Sequence, residues 1–584
     1  MKQGAQDRAA AALPMSRREM EDRGWETLDV LLVTGDSYVD HPTFGVACVG
    51  RWMEHLGYRV GVVSQPDWQD PESLKGMGVP RLMVGITAGN LDSMLAHYTA
   101  SRHKRREDHY TQGGIPGRRP NHAVAVYSQL AKRAFPGVPV VVGGMEASMR
   151  RVAHYDYWED KMRPSILSDS KADLLVYGMA ELAIAALLER LSAADWQDVP
   201  AIAGTARLLG AKASAGFNVE SGVLLPSWEE LRQDPTRLME LTLLVEREQS
   251  PFCGKPLLQW HGNRLLVVEP PARPLAVDEM DTLAALPYTR REHPSCTAAV
   301  PALATVKDSI VVSRGCAGGC SFCGLGLHQG KFHSSRSVES VLGEVRQLRK
   351  DPAFKGTLSD LGGPTANLYA ARNGHTGACR KCRRPSCLWP SMCRHFELDE
   401  AANLRLLREV RAEPGIRHVF VQSGIRMDVI RETPEYLREL LSYHVSGHLK
   451  VAPEHLDPDV LNLMRKPAGD FEPFLSDFAK ASAEAGKKQY LVPYFISSFP
   501  GCSDAHMEKV ERFLRSTRWN LQQVQDFIPL PMTAATALYV SGTDFEGNPI
   551  PVARNAGDRE RQKRCLRPLR HPDAPSLRSW DAVD

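Results

Sequence analysis

Short apolar runs that end in small or polar residues recur in two series along the chain, and this pattern limits the fold more than any other feature. The first series, from residue 29, is DVLLVTGD, YRVGVVSQ, PRLMVGITAGN, VPVVVGGMEAS and ADLLVYGMAE. Between its first two members lies FGVACVGRWMEHLG, with Val46, Val49, Met53 and Leu56 at helical spacing and Gly57 placed as a C-cap. Runs apolar on both faces that alternate with helices predict an α/β fold with a doubly wound parallel sheet. The second series, from residue 305, is SIVVSRGC, TLSDLGGP, RHVFVQSGI, HLKVAPEH, QYLVPYFISS and QQVQDFIPLP, separated by helical segments such as SVESVLGEVRQLRK and MEKVERFLRST. That repeat predicts a partial (β/α)6 barrel of the TIM type, whose site lies at the carboxyl ends of the strands.

At 584 residues the chain exceeds one typical core. The expected order is a lead-in over 1–26, a Rossmann-like α/β domain over 27–225, an irregular proline-rich connecting region over 226–300, the barrel over 301–545, and a basic, disordered tail over 546–584. Within the first domain, TASRHKRREDHYTQGGIPGRRPNH (99–122) reads as a long insertion loop. The net charge of +3 is small for this length, so no global field selects nucleic acid or an anionic membrane, and basic segments must be judged locally. No run of about 18 apolar residues predicts a membrane span.

Cysteine placement narrows the chemistry. Cys316, Cys320 and Cys323 stand in SRGCAGGCSFCGLG, spaced C-x3-C-x2-C, directly after the first apolar run of the second series. Three thiolates on one short loop can hold three irons of a 4Fe-4S cube and leave the fourth open to a ligand. Gly315, Gly318, Gly319 and Gly324 let backbone wrap tightly round such a group, and Phe322 can shield it from water. Two other readings stand beside this one: buried cysteines without metal, and a zinc site completed by His328. A second group, Cys379, Cys382, Cys387 and Cys393, has enough thiolates to fill four positions, which suits structural zinc or an auxiliary 4Fe-4S cluster. Arg380, Lys381, Arg383 and Arg384 beside it would offset thiolate charge or grip a phosphate. Seven of the twelve cysteines fall into these two groups, a pattern of metal ligation in a reducing cytoplasm and not of a disulfide scaffold.

The loop resembles that of the radical S-adenosylmethionine (radical SAM) superfamily. With SRGCAGGCSFC, HQGK, SDLGGPTANLY, SGIRMD, LKVAPEHLDP, QYLVPYFISSFPG and VQDFIPLP in that order, residues 27–545 resemble the YgiQ-type proteins within it. The resemblance implies a 4Fe-4S cluster on Cys316, Cys320 and Cys323, with S-adenosylmethionine bound to the open iron through its amino and carboxylate groups. It implies that Gly362, Gly363 and Pro364, closing the second strand, approach the methionine amino group. Ser423, Arg426 and Asp428 end the third strand, and Glu454 and His455 end the fourth. A serine or carboxylate there can hydrogen-bond a ribose, and an arginine can pair with a carboxylate. Tyr494, Ser497, Ser498, Pro500, Gly501, Asp526, Pro529 and Pro531, at the last two strand ends, line the substrate side or shape the rim.

The implied reaction is reductive cleavage of S-adenosylmethionine to methionine and a 5'-deoxyadenosyl radical that abstracts hydrogen from a substrate the sequence leaves unidentified. Electrons would come from a reductant such as flavodoxin or ferredoxin. At the carboxyl edge of the first sheet, Asp36, Thr87, Asn90, Gly143, Gly144 and Glu146 would face a ligand, and no G-x-G-x-x-G follows the first strand to bind a dinucleotide. This arrangement resembles the cobalamin-binding domains that precede many radical SAM barrels, so cobalamin-dependent methyl transfer is a second expectation. Asp40-His41-Pro42-Thr43-Phe44-Gly45 departs from the D-x-H-x-x-G pattern, and His41 is expected as a polar loop residue instead of a cobalt ligand. A third reading is a non-enzymatic iron-sulfur or zinc protein that binds nucleic acid through basic segments, although the tail from Asp558 to Pro572 lacks interleaved aromatic residues for stacking bases.

Overall fold

The computed structural model describes residues 11–566 except 194–200, 518, 520, 522 and 523. The apolar runs of the first series form β1 (Val30–Thr34), β2 (Val60–Ser64), β3 (Met83–Thr87), β4 (Val140–Val142) and β5 (Leu174–Val176). All five are parallel, in the order β2-β1-β3-β4-β5. Every residue of β1 is buried, as strands covered on both faces require. The helix Gly45–His55 covers one face: of the stripe its spacing suggests, Met53 is buried and Val46 and Val49 pack partly buried against the core, Leu56 is exposed, and Ala47, Cys48, Arg51 and Trp52 are buried beside them. Gly57, at φ +92°, closes the helix as expected.

Beyond β5 the sheet continues through β6 (Thr205–Leu208), β7 (Val223–Leu224), β8 (Leu257–His261) and β9 (Arg264–Val268), in the order β5-β6-β9-β8-β7. The β5–β6, β6–β9 and β8–β9 pairs are antiparallel. The stretch 226–300 is therefore no irregular connector. Its prolines flank a hairpin that turns at Gly262, φ +60°, and Leu257, Leu258, Leu265, Leu266, Val267 and Val268 are buried. The lead-in is also built in, since Ser16 caps the helix Arg17–Asp22 and Leu13 and Met20 are fully buried; residues 1–10 lie outside the described residues.

The second series gives β10 (Ser309–Val311), β11 (Thr357–Leu358), β12 (Asp360–Gly362), β13 (His418–Val419), β14 (His448–Glu454), β15 (Tyr490–Ser497) and β16 (Gln525–Asp526). Parallel pairs β10–β12, β11–β13, β14–β15 and β15–β16, with a parallel bridge between Ile425 and Val451, run round a partial barrel. Gln522 and Gln523, read as the start of the sixth strand, lie outside the described residues. The helix Val338–Leu348 buries Val338, Val341, Leu342, Val345 and Leu348, the 3–4 spacing of a face laid on strands. Part of the tail read as disordered is folded: in the helix Ala556–Arg564, Gln562 accepts from Ser498 N at 3.0 Å and donates to Cys502 O at 2.9 Å. Residues 567–584 lie outside the described residues.

The carboxyl edge of the first sheet faces the barrel mouth. Arg314 joins them by donating to the buried Glu181 at 2.6 Å.

Candidate functional site

The cysteine loop leaves β10 through Ser313 and Arg314. Gly315, at φ +85°, lies against the Phe332 carbonyl, where a Cβ would collide. Gly319, at φ +62°, lies against Pro385 and Ser386, so side chains at either glycine would push the loop off its bed. Cys316, Cys320 and Cys323 line one cavity of about 390 Å³, together with Pro364, Arg426, Asp428, Glu454 and Lys466. Burial pushes the Cys316 thiol up and the Cys323 thiol up to about 12, each further raised by the neighbouring cysteines. Among the described residues no three His, Cys, Asp or Glu side chains converge as they would round one metal ion. A four-iron cube takes its thiolates at separate corners, and a shared cavity bounded by three cysteines on one loop fits that donor set.

Glu454 closes β14 at φ +65°, a left-handed backbone that a non-glycine residue holds at a cost. Its side chain is buried, and burial raises its pKa against the pull of Lys466, whose ammonium stands 3.6 Å from Oε1. Oε2 has no hydrogen-bond partner among the described residues. A buried, unpaired carboxylate oxygen on the cavity wall is a place for a ligand hydroxyl or amino group. Arg426 donates to Asp428 at 2.5 Å and points Nη1 at Cys320 Sγ, 3.8 Å away. Its charge therefore serves the thiolate side of the cavity, and its fork is already engaged by Asp428.

Gly362, Gly363 and Ser423 line a different space, a chamber of about 540 Å³ between the barrel mouth and the first sheet. Pro364 and Leu325 border both spaces. A Cβ on Gly363 would stand 2.6 Å from Ser313 Oγ, itself a buried hydroxyl without a partner among the described residues. Ser423 gives its hydroxyl to Asp360, whose Oδ1 also accepts the backbone N–H groups of Gln422 at 2.8 Å and Ser423 at 3.0 Å. The sequence reading missed Asp360, although it precedes Gly362 by two residues on the same strand face. It also missed Lys466, for which nothing in the local pattern gives a signal.

Of the residues expected at the edge of the first sheet, Thr87, Asn90, Gly143 and Gly144 line the chamber. Asp36 and Glu146 do not. Arg119, fully buried on the 99–122 loop, bonds Asp36 at 2.6 Å and Asp108 at 2.8 Å, pinning that loop over the sheet. Glu146 accepts from Ser93 N at 2.8 Å, Ser93 Oγ at 2.6 Å and Val124 N at 3.0 Å. Both carboxylates hold structure. His41 is fully buried, with Nδ1 2.8 Å from Thr43 Oγ1 and Nε2 3.0 Å from Arg290, so both ring nitrogens have partners, and it is Pro42 and Thr43 beside it that line the chamber. Tyr494, Ser497, Pro500, Gly501 and Asp526 line neither space.

The second cysteine segment lies directly on the first. Cys387 N donates to Ala317 O at 2.9 Å and Ser386 Oγ to Gly318 O at 2.7 Å. Cys387, Leu388, Phe396 and Ala317 share one small apolar core. Burial raises the Cys379 thiol, but hydrogen bonds from Thr376 and Gly374 and the charge of Lys331 outweigh it and hold the pKa below the ordinary thiol value. Lys331 Nζ is 3.7 Å from Cys382 Sγ, and Asn373 donates to Cys387 at 3.5 Å. These contacts hold Cys379 toward thiolate and set an ammonium beside Cys382, while burial pushes the Cys387 thiol up in spite of Asn373.

Residues 12–309 match the family described as Radical SAM N-terminal, and residues 310–514 match the Radical SAM superfamily. The chain therefore belongs to the radical SAM superfamily and is an enzyme of that class, with a 4Fe-4S cluster and S-adenosylmethionine as cofactors. Within it the relatives are UPF0313 proteins, the YgiQ-type family. UPF0313 protein GSU2873 of Geobacter sulfurreducens is 48% identical over 553 residues, covering 94% of this chain and 91% of that protein. UPF0313 protein RPA0679 of Rhodopseudomonas palustris is 43% identical over 566 residues, covering 94% and 83%. A solved structure of the radical S-adenosylmethionine methyltransferase TsrM from Kitasatospora setae, with tryptophan substrate and SAM analog bound, aligns over 86% of this chain and 75% of that one at 16% identity and TM-score 0.48. Membership of an enzyme superfamily sets aside the non-enzymatic reading. No helix among the described residues is long and apolar enough to cross a membrane.

Proposed function

We propose that Cys316, Cys320 and Cys323 ligate the 4Fe-4S cluster and that the open iron faces the 390 Å³ cavity, where S-adenosylmethionine binds. The reading is carried by one observation: the three thiols and the unpaired oxygen of Glu454 bound the same space. When bound, the two cofactors supply one-electron cleavage to methionine and a 5'-deoxyadenosyl radical able to abstract hydrogen from a substrate. Glu454 accepts a hydrogen bond from the nucleoside end of the ligand, with Lys466 holding its other oxygen. Gly362, Gly363 and Pro364 let the strand end approach the methionine end, and Asp360 fixes Ser423 beside them. Arg426 balances thiolate charge at Cys320. The apolar wall of the chamber, with Val46, Val49, Met53 and Ile184, keeps water from the reacting centre.

The test is anaerobic reconstitution of Cys316→Ala, Cys320→Ala and Cys323→Ala. Each variant should lose the visible absorbance and the electron spin signal of the reduced cluster, and 5'-deoxyadenosine formation with it. Full cluster occupancy in all three would overturn the assignment.

The second cysteine group holds a further metal in this reading, supported by the lowered thiol of Cys379 and the Lys331 ammonium 3.7 Å from Cys382. Metal and sulfide analysis separates its two forms, since zinc leaves about four irons per chain and an auxiliary cluster brings about eight. A cobalamin-dependent methyl transfer is favoured by the chamber at the carboxyl edge of the parallel strands, with Gly143, Gly144 and Gly178 on its wall; His41 supplies no cobalt ligand to it. Corrin bound after expression with a cobalamin supply would support this form, and clean 5'-deoxyadenosine production without corrin would refute it. The free thiols and the oxygen-sensitive cluster suit a reducing cytoplasm, with flavodoxin or ferredoxin as reductant.

A further inference from the structure

The cysteine loop is a thin wall with two sides. Cys320 and Cys323 line the inner cavity, and the same two residues line a surface cleft whose other wall is Arg247, Lys331, Cys382, Arg383 and Arg384. This cleft brings solvent and both cysteine groups together. The acidic groups at it are already engaged: Glu246 accepts both nitrogens of Arg465 at 2.8 and 2.9 Å, and Glu248 accepts from Arg383 and stands 3.7 Å from Arg247. Arg380 lies over the Phe252 ring, and Arg384 donates to the carbonyls of Trp389 and Ser391. Neither of them, nor the exposed Lys381, pairs with a carboxylate among the described residues. Phe252, 38% exposed, and Met392, 41% exposed, add apolar contact area beside these cations.

We propose that this face is the docking site of a small acidic electron-transfer protein, and that the electron enters the cluster from here, through the outer side of the loop. The inference rests on the proposed cluster ligands. Two arguments select such a partner over other anionic surfaces. The cations gather at the cleft that opens onto Cys320 and Cys323, and electron transfer slows steeply with distance, so a donor seated here has the short path. A nucleic acid would instead use a track of cations interleaved with stacking aromatics. One electron leaves the reduced flavin or iron-sulfur centre of the donor and one arrives at the cluster; no atom or proton is required to move. Unpaired cations on the rim would act mainly on encounter, giving a rate that falls as salt rises.

The test uses the reconstituted full chain with reduced flavodoxin as the probe. The variant carries Arg384→Glu with Lys381→Glu, and the control carries Lys355→Glu, at the opposite end of the barrel before β11. At low salt, the variant should bind flavodoxin about tenfold more weakly in a titration and accept electrons from it about tenfold more slowly per cluster, and the wild-type rate should fall with added salt. Lys355→Glu should behave as wild type. Photoreduced deazaflavin, which needs no docking face, should reduce variant and wild type alike; if it finds no reducible cluster in the wild type, the ligand assignment itself has failed. The docking proposal is overturned if flavodoxin binds and reduces variant and wild type equally. It is also overturned if single-stranded RNA binds the wild type more tightly than flavodoxin and loses that affinity in the same variant.

Discussion

Gly319→Ala probes the seat of one cysteine segment on the other. Gly319 has φ +62°, and a Cβ would stand 2.6 Å from Pro385 O and 2.8 Å from Ser386 Cβ. Holding alanine in the left-handed region costs about 1–2 kcal/mol. The new methyl meets backbone and a Cβ, neither of which can rotate away, and overpacking of that kind adds about 1–3 kcal/mol. A central value of about 3 kcal/mol lowers the unfolding midpoint of a domain of about 200 residues by about 6–12 °C. Gly343→Ala is the control: it lies within the helix Val338–Leu348 with nothing inside 4 Å of its added Cβ, and should gain about 0.5–1 kcal/mol. Thermal unfolding by circular dichroism, run anaerobically on apo and reconstituted protein, measures both, with iron counted in parallel. Gly319→Ala should melt early in both forms and hold less iron. A midpoint within about 2 °C of wild type, with full iron, would falsify the contact between the two segments.

Two further outcomes follow from buried groups. Glu454→Gln keeps the size of the side chain and removes the charge that faces Lys466 and the inner cavity, so S-adenosylmethionine binding by equilibrium dialysis should weaken about tenfold or more. Retained affinity would remove Glu454 from the ligand site. His261 is buried in β8 with Nδ1 unpartnered, and burial lowers its pKa from 6.5 to about 4. A depressed histidine contributes stability above pH 6.5 that is lost as pH falls toward 4; at pH 5 the loss is about 2 kcal/mol. His261→Leu should therefore flatten the melting profile between pH 7 and pH 5, and an unchanged slope would refute that account.

The strands were legible because their signal is local. VLLVT and MVGIT are apolar on both faces whatever surrounds them, and the glycines and cysteines of the loop name their own chemistry. The hairpin of β8 and β9 was not legible, because prolines on either side carry the composition of a connector while its turn is a single Gly-Asn pair. The strand-end carboxylates show a deeper limit. Asp36, Glu146 and Asp360 all occupy places where a ligand-facing residue is expected, and what decides their role is a partner distant in sequence: Arg119, Ser93 and Ser423. Glu454 differs from them only in lacking such a partner for one oxygen. A sequence pattern fixes which side chains reach an edge, and tertiary pairing fixes which of them remain free.

The division of the expected cofactor residues between two spaces bears on why the chain carries its first domain. Gly362, Gly363 and Ser423 line the chamber, the cysteines and Glu454 line the inner cavity, and Pro364 with Leu325 borders both. In the proposed site, a ligand touching both glycines and Glu454 would have to lie past Pro364 and Leu325, with its middle beside the chamber. The far wall of the chamber is made by Val46, Val49, Thr87 and Asn90 from the first sheet and its helix, and a barrel alone would leave it open to water. Asp36 and Glu146 then have a purpose that fits their burial: by fixing the loop at Arg119 and the turn at Ser93, they hold the edge of that wall rigid against the mouth. Under the proposed function the first domain completes the wall of the chamber, so a substrate seated there would meet its apolar face.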